Sequence, residues 1–298
     1  MNTIIEINTP YAVSHLLERL SADPLHVVDR INHEVKVPIY TENKVVSVSF
    51  VQNNNGVTRI TIIGDVQDEE KVLEKLKQIF LWDVDLQDIT EHFKHTKLAP
   101  LFDIFYGTPI VCDFDLYGCL MKTIIHQQLN MKFAHELTSR FVKTFGFEVD
   151  GVPFYPEPAV VSRLEVDQLR QLQFSQRKAE YVIDTSKKIA NGELDLEALR
   201  CEGNEEIIEK LVKIRGIGKW TAENFLLFGL GRPNLLPAAD IGIQNALKRL
   251  YDLETKPKLD KILELATEWE PYSSYASLYL WLSTERPQLV EKIYQKVE

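Results

Sequence analysis

The hydrophobic period changes once along this chain, near Lys97, and that change decides what it can fold into. Before it, apolar and polar residues alternate through IIEI and through EVKVPIYTENKVVSVSFVQNNNGVTRITIIG. A period of two puts one face of each strand on a core and the other toward water. Asn55-Gly56 separates VVSVSFV from VTRITII, and this pair tolerates the positive φ of a tight hairpin. YAVSHLLERLSA and DEEKVLEKLKQIFLWD have helical spacing instead, the second with acidic residues in its first turn. A small antiparallel sheet with helices on one face is therefore expected. After Lys97 the periodicity is helical, with almost no alternation. LYGCLMKTIIHQQLNMKFAHELTSRFVKTFG carries a long apolar stripe ending at Gly146, a C-cap signal. GVPFYPEP reads as an extended, proline-rich connector, and short helices follow from SRLEVDQLRQL to SYASLYLWLSTE. The fold class is α+β, with an N-terminal sheet domain over 1–100 and a larger all-α domain over 101–298.

Apolar residues make up 45% of the 298 and charged residues 26%, as in an ordinary globular protein. The N-terminus MNTIIEINTPYAV has no basic region and carries Glu6 inside its apolar run, unlike a signal peptide. No apolar run approaches the ~18 residues of a membrane span, so no membrane is expected and the location is cytoplasmic, nucleoid-associated in a bacterium. Cys112, Cys119 and Cys201 form no C-x-x-C pair and are too few for a four-cysteine cluster. The formal charge of −10 by itself argues against nucleic acid. From Leu211 to Tyr251, however, Lys213, Arg215, Lys219, Arg232, Lys248 and Arg249 face only Glu223 and Asp240, a local +4. That polarity can aim one surface at an anion.

Inside this window lies KIRGIGKWTAENFLL. IIEKLVKI and TAENFLLFGL, taken as consecutive helices, leave only Arg215-Gly216-Ile217-Gly218 to connect them. Gly216 can end the first helix in a left-handed conformation, Ile217 can tuck inward, and Gly218 leaves the turn bare. The next helix then presents free N–H groups and its positive dipole end beside Lys219 and Thr221. That is an anion site suited to phosphodiester oxygens. A tight αα-turn that binds nothing would use the same glycines; the local positive charge favours the DNA backbone.

L-V-K-I-R-G-I-G-K-W-T-A followed by L-L-P-A-A-D at Leu235–Asp240 resembles the helix-hairpin-helix (HhH-GPD) DNA glycosylases, most closely the DNA-3-methyladenine glycosylase II type. TIIHQQLN at Thr123–Asn130 is similar to that family's A-I-x-G-Q-Q-x-S stretch, with His126 in place of a glycine. Ser175–Leu199 is similar to its S-x-x-K-A segment and Ser273–Leu282 to its closing helix. The resemblance implies a TBP-like sheet domain followed by a glycosylase domain in two helical lobes. It further implies that Asp240 faces the sugar of an extruded nucleotide. Asp240 also precedes IGIQNALKRLY, where Asp makes a good helix N-cap, so both roles are open.

In bifunctional relatives, the position two after the last hairpin glycine holds a nucleophilic lysine. Here it is Trp220, and Lys219 lies one step earlier, about 100° around the helix. The resemblance thus implies a water-using, monofunctional enzyme. Trp220 and Trp281 would wall the base pocket, whereas Trp82 and Trp269 match nothing and read as core. Tyr275 and Tyr279 are core by default, with the same cleft as the alternative. In the Gln127–Leu129 turn, Gln128 or Leu129 would be the wedge filling the gap left in the duplex; a helix-end glutamine without a DNA role is the other reading. The resemblance also implies Na+ or K+ held by the backbone carbonyls of Val212, Ile214 and Ile217, and requires no cofactor. Asn224 replaces an aromatic common one turn beyond Trp220, and Ile241 follows the catalytic Asp, so the pocket shape departs from the family.

The expected activity is hydrolytic excision of alkylated purines, 3-methyladenine among them, from double-stranded DNA by a monomer. The alternatives are an oxidised-guanine glycosylase with lyase activity, a non-catalytic helix-hairpin-helix DNA-binding protein, and a helical scaffold unrelated to DNA.

Overall fold

The computed structural model describes residues 1–53 and 56–294, so Asn55 of the expected hairpin turn lies outside them. The alternating segments form a five-stranded antiparallel sheet. Its strands are β1 (Asn2–Ile7), β2 (Val27–Asp29), β3 (Glu34–Ile39), β4 (Lys44–Gln52) and β5 (Thr58–Gly64), in the spatial order β1-β5-β4-β3-β2. Register follows the hydrophobic alternation. Val46 and Val48 of β4 pair with Val37 and Val35 of β3, and Val48 and Phe50 pair with Ile62 and Ile60 of β5. All of these are buried. On the other face Ser47 and Ser49 donate hydrogen bonds to Glu34, and Arg59 pairs with Glu6 at 3.0 Å. A one-residue slip would exchange these two faces.

Helix α1 (Val13–Ser21) and helix α2 (Glu69–Phe80) belong to the core on the sheet's buried face through Leu16, Leu17 and Leu20 and through Val72, Leu76 and Ile79. Asp68 caps α2 by accepting from the Lys71 amide. The opposite stripe of α1, His15, Glu18 and Arg19, follows helical spacing and turns to the rest of the molecule. His15 Nδ1 lies 2.6 Å from Thr108 Oγ1, and Glu18 pairs with Arg286 at 2.9 Å. Helices α3 (Leu86–Phe93) and α4 (Ala99–Ile104) follow. An extended segment then ties the layers together: Ala12 donates to the Gly107 carbonyl, Cys112 to Ile79 and Asp113 to Phe228.

The remainder is helical as expected, with α5 (Leu116–His126), α6 (Met131–Phe145), α7 (Pro158–Val161), α8 (Val166–Gln171), α9 (Gln176–Ala190), α10 (Asn204–Leu211), α11 (Lys219–Phe228), α12 (Ile241–Leu250), α13 (Leu259–Ala266), α14 (Ser273–Glu285) and α15 (Pro287–Tyr294). One element differs from expectation. The proline-rich connector contributes half of a two-stranded hairpin, β6 (Phe147–Val149) with β7 (Val152–Phe154). Its turn is Asp150-Gly151, both at positive φ, the geometry of the two-residue hairpin that Asp-Gly favours. Three-residue strands are too short to show alternation. The hairpin docks the helical part on the sheet: the Tyr155 amide donates to the Tyr40 hydroxyl, and the Tyr40 and Phe154 rings lie 4.9 Å apart.

A buried ionic cluster pins the two layers. Lys122 of α5 pairs with Asp113 and, at 3.6 Å, with Asp23 just beyond α1. Burial pulls the Lys122 ammonium toward neutrality, but Asp113 and Asp23 more than offset this and raise its pKa. Burial likewise pushes the Asp23 carboxyl up, while His26, Lys122 and the Leu25 amide hold it well below the usual carboxylate range. Removing one partner strands two carboxylates in a poorly solvated seam. Lys122→Met should therefore cost about 2–4 kcal/mol, measured as a lower urea midpoint with an unchanged folded-state spectrum.

Candidate active site

The glycine-rich turn runs from residue 212 to 218, longer than the four residues expected, because α10 stops at Leu211. After it the chain proceeds in single-turn bonds, with the Ile214 amide donating to Leu211 and the Ile217 amide to Ile214. Ile214 and Ile217 are buried and anchor the turn. Gly216 has φ +93°, and a Cβ there would lie 2.2 Å from the ring of Tyr181 on α9. The turn is thus pressed flat on an aromatic ring, which only glycine permits. Arg215 closes the stack: its guanidinium lies 5.5 Å from the Tyr181 centroid and pairs with Glu180 at 2.6 Å.

Gly218 caps α11 with extended backbone and no side chain, and a Cβ there would meet nothing within 4 Å. The first turn of α11 therefore opens outward. Lys219 stands at this N-terminus, exposed, with Glu223 at 3.6 Å. A cation at a helix N-terminus opposes the dipole, a placement that makes sense when an anion completes the site. Thr221 is different from expectation in one respect. Its side chain is buried and its hydroxyl accepts from Gln127 Nε2 at 2.8 Å, so only its backbone amide is available to a phosphate.

Gln127 is a residue that sequence reasoning passed over in favour of its neighbours. Its amide also donates to the Gly216 carbonyl at 2.8 Å, tying the turn after α5 to the hairpin. Within that turn Gln128 is exposed at φ +57°, while Leu129 is half-buried against the core. Lys178 of α9 braces the same turn by donating to the carbonyls of Ile124 and Gln127 at 2.9 and 3.1 Å, and burial lowers its pKa to about 8. Its signal in the sequence is the S-x-x-K-A spacing. His126, at the position where the resembled family has glycine, is turned inward onto Thr138 Oγ1 at 3.0 Å.

Asp240 sits at the N-terminus of α12, half-buried, and holds both of the roles left open for it. Its Oδ1 accepts from the Ile243 amide at 3.1 Å, which is an N-cap. The same oxygen accepts from Trp281 Nε1 at 2.8 Å, and Oδ2 accepts from Trp220 Nε1 at 3.2 Å. The two tryptophans singled out as pocket walls thus converge on one carboxylate, each oriented through its indole N–H. Gly242 allows the approach, since a Cβ there would stand 3.0 Å from both Asp240 Oδ1 and Trp281 Cδ1. The loop leading to Asp240 is fastened to α14: Leu235 donates to Ser274 Oγ, Ser274 Oγ donates to the Arg232 carbonyl, and Ser277 Oγ donates to Leu235. Gln244 Nε2 donates to the Ala238 carbonyl.

Asn224 is spent locally, its amide donating to the Trp220 carbonyl one turn back. The second aromatic on that face is Phe228, one further turn along and 5.7 Å from the Trp281 ring. The i, i+4, i+8 spacing of Trp220, Asn224 and Phe228 was the available signal for it. Tyr275 and Tyr279 are core, with Tyr279 stacked 4.1 Å from Phe102. Trp82 and Trp269 are buried as well.

Known proteins resemble this chain in sequence and in fold. Residues 121–271 match the family model described as HhH-GPD superfamily base excision DNA repair protein. YfjP of Bacillus subtilis (strain 168), which carries a provisional DNA-3-methyladenine glycosylase name, is 49% identical over 94% of this chain and 98% of its own. A second B. subtilis protein, named DNA-3-methyladenine glycosylase, is 32% identical over 79% of this chain and 80% of its own. The solved 3-methyladenine DNA-glycosylase from Archaeoglobus fulgidus superposes with a TM-score of 0.81 at 27% identity, covering 95% of this chain and 98% of that one. The chain belongs to the HhH-GPD superfamily of base excision DNA repair proteins.

The close packing at Gly216 can be tested directly. Gly216→Ala forces a methyl into the Tyr181 ring at a positive φ, and is expected to cost about 2–3 kcal/mol of stability. Affinity for duplex DNA should fall with it at temperatures where the variant remains folded, as read by fluorescence anisotropy.

Proposed function

We propose that this chain is a monofunctional DNA glycosylase that extrudes alkylated purines, 3-methyladenine among them, from duplex DNA and removes them by hydrolysis. The observation that carries the reading is the Asp240 carboxylate held by Trp220, Trp281 and the N-terminus of α12 beside the glycine turn. In it, phosphates meet the amides of Gly216, Gly218, Lys219 and Thr221 together with the Lys219 ammonium, while the Ile217 amide is spent on the Ile214 carbonyl and Ile217 serves as the turn's anchor. Gln128 enters the duplex as the wedge, its exposed position at the tip of the turn favouring it over Leu129. The extruded base lies against the indoles, whose faces suit an electron-poor, cationic ring.

Cleavage of the N-glycosidic bond leaves positive charge on the sugar, which a nearby carboxylate stabilises. Oδ1 already accepts two hydrogen bonds and Oδ2 only one. Oδ2 therefore retains a lone pair for the sugar or for the attacking water. A positively charged alkylated base is a good leaving group, so this one carboxylate suffices. The bond from sugar C1′ to the base breaks with its electron pair passing to the base, and water supplies the new C1′–O bond as its O–H bond breaks and the proton passes to Oδ2.

The position that would hold a nucleophilic amine is Trp220. Lys219 is drawn to Glu223, and the amine of Lys178 is committed to two carbonyls. These placements support hydrolysis over the lyase alternative. A Na+ or K+ ion at the carbonyls of Val212, Ile214 and Ile217 fits the same turn: the Ile214 carbonyl spends one lone pair on the Ile217 amide and keeps the other. Such an ion would add positive charge where the phosphate docks. No helix among the described residues is long and apolar enough to cross a membrane. The reading places a monomer on the DNA in the cytoplasm.

Alkylated duplex DNA tests this. The wild-type protein should release 3-methyladenine, leave abasic strands uncut and give no covalent adduct on borohydride reduction. Asp240→Asn should lower single-turnover release by about 10²-fold or more with DNA affinity retained. Full activity of that variant, or a trapped adduct, would remove the mechanism.

A further inference from the structure

The row of aromatic side chains beside Asp240 continues past the two tryptophans to a residue of the N-terminal helix α1. Trp220, Asn224 and Phe228 form one stripe of α11, and Trp281 packs on Phe228 while reaching Asp240. At the far end of that stripe, the Arg19 guanidinium carbon lies 5.8 Å from the Phe228 ring centroid. Arg19 comes from α1, on the side of that helix turned away from the sheet. Its neighbour Glu18 is taken by Arg286 at 2.9 Å. Glu285, Arg286 and Asp113 are the charged groups around Arg19, yet among the described residues none lies within ion-pair distance of it. Its side chain is half-buried, and none of its nitrogens is sealed from solvent.

The guanidinium keeps its donors open to solvent with no protein acceptor among the described residues, and partial burial lowers its pKa even though it stays cationic. Five donors in a rigid fork, opening at the end of an aromatic wall, suit an acceptor brought in by the ligand. Resting on the glycosylase reading above, we propose that Arg19 reads the C6 substituent of the extruded purine and favours 6-oxo bases, such as 7-methylguanine, over 6-amino bases. Arginine pairs with the O6 and N7 acceptors of guanine. Methylation at N7 removes one of these and leaves O6. A 6-amino group, in contrast, turns N–H donors toward the N–H donors of the guanidinium. Both alkylated bases are cationic, so charge repulsion is common to the two and the C6 group separates them. This gives the N-terminal domain a part in the chemistry of the cleft, as the source of a specificity-determining side chain.

The test uses dimethyl-sulfate-treated duplex DNA, which carries both 7-methylguanine and 3-methyladenine, with the two released bases quantified from the same reaction. The wild type should release 7-methylguanine alongside 3-methyladenine. In Arg19→Met the ratio of 7-methylguanine to 3-methyladenine should fall at least about tenfold, the size expected for one charged hydrogen bond. Arg19→Lys, which keeps the charge without the fork, should fall between. Because the readout is a ratio, a variant that is merely less stable lowers both products together and leaves it unchanged. An unchanged ratio, or a wild type that releases only 3-methyladenine, overturns the Arg19 assignment and leaves the glycosylase reading intact. A wild type that releases neither base refutes that reading and the assignment with it.

Discussion

One carboxylate organises this molecule. Asp240 takes three hydrogen bonds from three different elements: the indole of Trp220 on α11, the indole of Trp281 on α14 and the first turn of α12. A half-buried carboxylate is expensive unless its lone pairs are met, and here each donor has a further role. The α12 amide is capped by the same oxygen that Trp281 holds. Each indole is fixed at its N–H, which sets the orientation of the ring face proposed to meet the base. On the proposed mechanism, the charge for the reacting sugar and the surfaces for the base would thus be positioned by one set of bonds. Preorganisation of that kind requires no rearrangement as charge develops.

The rest of the fold keeps those three elements in place. Ser274 and Ser277 of α14 fasten the loop that delivers Asp240, so Trp281 and the carboxylate move as one unit. Gln127 bonds both Gly216 and Thr221, linking the turn expected to enter the duplex to the turn expected to hold its phosphates. The N-terminal layer is joined through a buried Lys122 cluster and through the polar stripe of α1. Its sheet is buried on one face, and one of the helices that cover this face carries Arg19 on its other side.

Period and turn chemistry were enough to read the two-part architecture, because alternation and helical spacing differ over any run of several residues. They failed at β6–β7, where three-residue strands leave no period and only Asp150-Gly151 marks the turn. Turn chemistry placed the hairpin, and the family resemblance pointed to Asp240 and the two tryptophans, but neither could see that α10 would stop at Leu211. Nor could either see Gly216 meet Tyr181, a contact between distant residues. Phe228, Gln127 and Arg19 escaped for the same reason. Each is an ordinary residue type whose importance comes from what tertiary packing puts beside it. Trp220 and Trp281 were expected as walls from the resemblance; their grip on Asp240 was visible only in three dimensions.

The central claim is that the indoles position the carboxylate through their N–H groups as well as lining the pocket with their faces. Replacing Trp281 by Phe keeps an aromatic face and removes the shorter of the two indole hydrogen bonds. Single-turnover base release from alkylated duplex, measured beside affinity for the same duplex, separates the two roles. The account predicts that Trp281→Phe binds as tightly as the wild type while its release step slows by about tenfold or more, the worth of a hydrogen bond to a charged group. Release at the wild-type rate would show that Asp240 does not depend on the indole N–H and would contradict it.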